Sequence, residues 1–223
     1  MRVLDLFSGS GSIKKYFKDK ENVEVISLDF CEKYKPDILV DIMEWNYKSY
    51  PVGYFDLIVA GPECKIFSNL QNTWIGKKWR DKEHLREEQK KNAIYINKTI
   101  EIIEYFKPQY YFIENPLYSK IWEHIEDKKY LDSCVIVDYC AFGFEYKKPT
   151  KILTNKKLDN VRCKCVGDPK HPMRLGINSK KFRTARPKII KCDSTTMLER
   201  YSYPPKLLDY LFLDSYQSST AFV

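Results

Sequence analysis

The chain has 223 residues, 43% of them hydrophobic and 30% charged, with a net charge of +8. That suits one domain with a true core, with room for a small insert, and no apolar run approaches the ~20 residues of a membrane-crossing helix. The basic balance favours a polyanionic partner without requiring one. Seven cysteines, an odd number at scattered spacings, argue against a disulfide framework and for a reducing compartment.

Met1-Arg2 leads directly into an apolar strand, Arg2 to Phe7, without the apolar core or cleavage site of a signal peptide. Ser8-Gly9-Ser10-Gly11-Ser12 follows, and Ile13 to Lys18 is predicted helical. Strand, glycine turn and helix open a nucleotide-binding α/β unit, because glycines let the backbone turn tightly and approach a ligand. The third glycine of the dinucleotide fingerprint is missing, so a plain βα turn is the alternative. Val23 to Leu28 is the next strand, with Asp29 at its end. An acidic residue there suits a ribose hydroxyl pair. Asp37 to Asp41 repeats the arrangement. For each carboxylate, the competing reading is a solvated cap on the next element.

Tyr54 to Ala60 is a short apolar run closed by Gly61-Pro62, and Cys64 lies just past it. Chemistry gathers at the carboxyl edge of open α/β sheets, so a thiol there is a candidate nucleophile. The alternative is a small hydrophobe packed under a loop. Asn69 to Lys82 lacks periodicity and interleaves Trp74 and Trp79 with Lys77, Lys78 and Arg80. That mixture suits phosphate contact and base stacking, or a solvated loop with its indoles folded inward. Glu83 to Phe106 is predicted as one long helix, with Ala93, Ile96, Ile100 and Ile103 on its apolar face.

Gln109 to Ile113 is a strand closed by Glu114-Asn115-Pro116. A right-handed crossover would bring Glu114 to the same edge as Cys64, where a glutamate shielded from water can give a proton. Cys134 to Cys140 and Thr150 to Thr154 are further strands around a turn. Lys147, Lys148 and Lys151 there are substrate contacts or guards on an edge strand. Asn155 to Cys192 is basic and poor in apolar runs, with Arg174, Lys180, Lys181, Arg183, Arg186 and Lys188. Cys163, Cys165, His171 and Cys192 lie in or at the end of it, in no standard zinc spacing. No metal is expected, and zinc on those four residues is the alternative. Pro204 to Phe212 reads as a final amphipathic helix, and Ser215 to Val223 as a loose tail.

Four elements stand in order: Asp5-Leu-Phe-Ser-Gly-Ser-Gly11, Gly61-Pro-Glu-Cys64 with Phe67-Ser68, Glu114-Asn-Pro116, and the turn from Tyr139 to Thr154. Together they resemble the DNA-type cytosine-5 methyltransferases, in the compact form carried by phages and other viruses. The likeness covers roughly residues 2 to 155 and thins beyond. It implies a Rossmann-like, mostly parallel sheet flanked by helices, with residues 1–155 and 193–223 as the catalytic domain and 156–192 as a small basic insert. It implies S-adenosylmethionine as donor, contacted by Phe7, Ser8, Gly9, Gly11, Asp29, Phe30, Asp41, Ile42, Gly61 and Pro62. Cys64 would attack carbon 6 of cytosine, Glu114 would contact ring nitrogen 3, and Lys148 would stand in for a family arginine. Ser68, Lys77, Lys78, Arg80, Arg174, Lys180, Lys181 and Arg183 would meet the nucleic acid.

The chain departs from the pattern at three places. Glu63 precedes the thiol and Lys65 follows it, Pro116 follows Glu-Asn, and Tyr146-Lys-Lys-Pro-Thr-Lys151 replaces an arginine-rich element. Glu63 would raise the thiol pKa and Lys65 would lower it. The expectation is therefore DNA as partner, with RNA, or a silent binding homologue, as alternatives. A monomer with no membrane contact is expected, cytoplasmic or wherever the target DNA lies.

Overall fold

The structure, a computed structural model, describes residues 1–144, 148–163 and 202–217. Seven strands form one sheet: β1 (Arg2–Leu6), β2 (Glu24–Asp29), β3 (Ile38–Leu39), β4 (Leu57–Ala60), β5 (Tyr110–Pro116), β6 (Cys134–Asp138) and β7 (Pro149–Thr154). Their order is β3-β2-β1-β4-β5-β7-β6, and β7 alone runs antiparallel to its neighbours. This is the expected mostly parallel α/β architecture.

Alternation along the strands divides the core. Leu4, Leu6, Ile58, Ala60 and Ile113 face one layer, built on helix α3 (Ile94–Phe106) through Ile96, Ile100, Ile103 and Phe106. Val3, Leu57, Val59 and Phe112 face the other. There they meet Ile13 and Phe17 of α1 (Ser12–Phe17) and Leu207, Leu208, Leu211 and Phe212 of the last helix. All four residues of β4 are buried, as a strand covered on both faces requires.

Register sets the site. Leu6 pairs with Ala60 and Ala60 with Ile113. The next residues on the three central strands, Phe7, Gly61 and Glu114, therefore emerge together at the carboxyl edge. Strand order reverses between β1 and β4, the place where such sheets bind ligands. Because β7 is reversed, its start lies at this edge too, with Thr150 opposite Pro116.

Several elements differ from the sequence expectation. The long helix is two, α2 (Lys82–Asn92) and α3, broken at Ala93, whose N–H is shared between the carbonyls of Gln89 and Lys90 at 3.0 and 3.2 Å. The run Asp37 to Asp41 contributes only a two-residue strand. The strand begun at Cys134 stops at Asp138, and Tyr139–Phe142 form a 3-10 turn. The stretch after the thiol holds a 3-10 turn, Asn69–Trp74, and a bridge between Ile75 and Trp79. A four-residue helix, α4 (Lys129–Asp132), precedes β6, and α5 (Pro205–Gln217) begins at its proline.

Of the stretch 156–192, expected as a basic insert, only residues 156–163 are described. Val161 bridges to Val137, and the fully buried Asp138 accepts from Arg162 Nε and the Cys163 N–H at 3.0 and 2.8 Å. Cys165, His171, Arg174, Lys180, Lys181, Arg183 and Cys192 lie outside the described residues. Among the described residues, no helix is long and apolar enough to cross a membrane and no cluster of metal-ligating side chains forms. Cys163 is disulfide-bonded, whereas Cys31, Cys64 and Cys134 are free.

Candidate active site

One half of the site is made mostly of backbone. After β1 the chain turns through Phe7 at φ 59°, Gly9 at 46° and Gly11 at 70°. Gly11 starts α1, and a Cβ there would meet nothing within 4 Å, so the turn is open above it. Left-handed φ is free for glycine and costs Phe7 strain. Asp29 pins this turn: its Oδ2 accepts from the Gly9 N–H and its Oδ1 from the Cys31 N–H, both at 2.9 Å. The Ser8 N–H donates to the Leu28 carbonyl at 3.1 Å. Phe30 stands 74% exposed beside it, a large apolar ring left open at a strand end. Asp41 accepts from the Met43 N–H at 2.9 Å and from the Tyr95 hydroxyl at 3.2 Å. Ile42 is buried in the core beneath.

The other half is made of side chains. Cys64 is half-buried on the turn after β4. Burial pushes its thiol above the usual range, Glu114 and Glu63 push the same way, and Lys148 pulls it down. Lys65 is exposed, and the cation acting on the thiol is Lys148 from β7's approach. Glu114 Oε1 accepts from Lys148 Nζ and from the Tyr139 hydroxyl, each at 3.1 Å. The neighbouring Asn115 is fully buried, and its Nδ2 donates to the Pro62 carbonyl at 2.8 Å. The structure thus brings Cys64, Glu114, Lys148, Gly61 and Pro62 to one place, beside the glycine turn.

The proposed nucleic-acid contacts are less uniform. Ser68 Oγ caps the following 3-10 turn by accepting from the Leu70 N–H at 3.3 Å. Lys77 lies 5.9 Å from the Trp74 ring and Lys78 4.3 Å from the Trp79 ring. Arg80 Nε donates to Asp81 at 2.9 Å. Of the two indoles, Trp79 folds inward and donates to Gln71 at 3.0 Å, while Trp74 stays 51% exposed.

Three residues at this edge carry no role in the sequence reading. Asp5 is buried with Oδ2 unpartnered, and burial, then Asp29 and Asp37, push its carboxyl up to about 8. Tyr203 places its hydroxyl 3.4 Å from where a Cβ on Gly61 would sit, and its N–H meets Ser12 Oγ at 3.4 Å. Burial, then Glu114 and Asp5, hold that phenol well above its ordinary range. Tyr139 is the third. Asp5 stands inside the glycine motif, which was its available signal. Tyr139 and Tyr203 carry no local pattern that marks them.

No protein-family model matches the chain. Solved structures with a similar arrangement include methyltransferase EhMeth of Entamoeba histolytica, with TM-score 0.49 and 14% identity, covering 74% of this chain and 57% of that one. A DNMT2 variant of Spodoptera frugiperda has TM-score 0.45 and 15% identity, covering 73% and 54%. A probable DNA (cytosine-5)-methyltransferase of Frog virus 3 (isolate Goorha) is 30% identical over 219 residues, covering 93% of this chain and 97% of the relative. With that identity along nearly its whole length, the chain belongs to the DNA (cytosine-5)-methyltransferase family.

Proposed function

We propose that this chain transfers a methyl group from S-adenosylmethionine to carbon 5 of cytosine in DNA. The observation that carries the reading is the meeting of Cys64, Glu114 and Lys148 at the edge that also holds the glycine turn. The residues fit the donor: an open left-handed glycine turn, an exposed Phe30 ring and strand-end carboxylates at Asp29 and Asp41. Phe7, Ser8, Gly9, Gly11, Gly61 and Pro62 would complete its pocket over Ile42. When bound, it supplies an electrophilic methyl on a sulfonium.

The chain's own groups do the rest. Carbon 5 of cytosine is a weak nucleophile. Addition of the Cys64 thiolate to carbon 6, with Glu114 supporting a proton at nitrogen 3, makes carbon 5 enamine-like and able to take the methyl. A base then removes the carbon 5 proton, the carbon 5–carbon 6 double bond re-forms, and the thiolate leaves. Lys148 steadies both the thiolate and Glu114 by charge. The target base must leave its stack to reach the thiol. In this reading residues 156–192, with Arg174, Lys180, Lys181 and Arg183, are the target-reading insert. Ser68, Lys77, Lys78 and Arg80 meet the backbone.

A transfer assay with labelled methyl donor, on DNA and on RNA, tests this. Transfer to cytosine in DNA that disappears in Cys64→Ala supports it. Transfer to RNA alone moves the substrate and keeps the chemistry. Retained transfer in Cys64→Ala, or a label elsewhere than carbon 5, overturns it.

A further inference from the structure

The final pair of the β6–β7 hairpin is built in a way the thiol chemistry alone does not demand. Asp138 pairs with Pro149, and one step beyond, the Tyr139 N–H donates to the Lys148 carbonyl at 3.2 Å. The two side chains then project together. The Lys148 ammonium lies 4.4 Å from the Tyr139 ring centroid, and both residues donate to the same carboxylate oxygen, Glu114 Oε1, at 3.1 Å each. Tyr139 is 1% exposed, with the Phe144 ring edge-on to it at 5.6 Å, so its hydroxyl is held rigidly. Among the described residues, nothing donates to Glu114 Oε2.

We propose that Tyr139 is a positioning residue for the reaction, which with Lys148 locks Glu114 Oε1 and leaves Oε2 as the oxygen that meets the pyrimidine ring. This rests on the proposed role of Glu114. An oxygen that accepts two donors has no room for a proton of its own. Any proton the carboxyl carries therefore sits on Oε2, ready for nitrogen 3. A lysine is a point donor on a flexible stem and cannot hold a carboxylate plane alone, whereas an arginine brings a rigid fork. Here two donors converge on one oxygen instead, an ammonium stacked on a fixed ring and that ring's own hydroxyl.

A buried tyrosine that merely satisfies its hydroxyl would behave differently, and Tyr139→Phe separates the two. The variant keeps the ring, its packing and the cation contact. We expect kcat to fall about tenfold, the scale of one hydrogen bond to a charged group. KM for DNA should stay within about twofold, since ground-state binding is untouched. In single-turnover measurements on a Glu114→Gln background, adding Tyr139→Phe should change the rate less than about twofold, because its effect runs through the carboxylate. An unchanged kcat in Tyr139→Phe overturns the proposal, and so does an equal loss in both backgrounds. Glu114→Gln with wild-type turnover overturns the role of Glu114 and this proposal with it. Loss in Glu114→Gln with full activity in Tyr139→Phe overturns the positioning alone.

Discussion

The two halves of the site hold their shape by different means. The glycine-turn half, at the ends of β1 and β2, is fixed by main-chain N–H donors: those of Gly9 and Cys31 on the Asp29 carboxylate, and that of Ser8 on the Leu28 carbonyl. The thiol half, at the ends of β4, β5 and β7, is fixed by side chains from distant segments, with Lys148 and Tyr139 on Glu114 and Asn115 on Pro62. A backbone cradle recognises shape through N–H donors, which do not titrate. A side-chain cluster can trade protons and electrons, at the cost of depending on each partner. Substitutions in the first half should therefore alter donor binding and stability. Those in the second should alter turnover and its pH dependence.

The sharpest break is Cys64→Ala. Transfer should drop by about 10⁴-fold or more, the scale on which loss of a nucleophile acts, while donor affinity by calorimetry holds. Glu114→Gln should cost about 10²- to 10⁴-fold in kcat, as removal of an acid–base group does. Lys148→Met removes the cation that draws the Cys64 thiol down. The rising limb of kcat/KM against pH should move to higher pH, with about a tenfold loss near neutrality, the change one pKa unit would bring. On the backbone side, Gly11→Ala places a side chain at φ 70° in open space. The cost should be about 1–2 kcal/mol of stability from the left-handed conformation, read from chemical denaturation, with the thiol's reactivity unchanged.

A separate test, of pH dependence, concerns the buried carboxyl under the turn. Asp5 keeps its proton in the folded state up to about 8, against an ordinary value of 3.8. The unfolded chain releases that proton first. This group's contribution to stability is therefore full below the unfolded value and is lost as pH rises through the folded one. Asp5→Asn should flatten the fall in melting temperature between those limits, measured at constant salt. An unchanged slope would remove Asp5 as its source.

The two halves were also unequally legible in the sequence. Gly9, Gly11, Asp29 and the strand ends announced the first half, because special backbone positions demand particular residues locally. In the second half, position past a strand end marked Cys64 and Glu114 as candidates and Lys148 stood among the hairpin lysines, and the resemblance supplied their roles. Tyr139 had no such mark: it looks like the next residue of an apolar strand. Only the early end of β6 at Asp138, and the reversed β7 beside β5, turn it toward Glu114. The break at Ala93 was equally hidden, since the apolar positions keep helical spacing across it. Lys65 looked like the cation beside the thiol, yet Lys148, just before β7, fills that place, as tertiary contact overrides sequence adjacency.

The buried bond from Asn115 to the carbonyl of Pro62 has a wider consequence. It ties the residue next to the acid to the turn that carries the sulfur, so the two reacting groups share a baseline that bypasses every residue between them. Lengthening or trimming the intervening loop in this chain should therefore leave the spacing at which the bond is made unchanged.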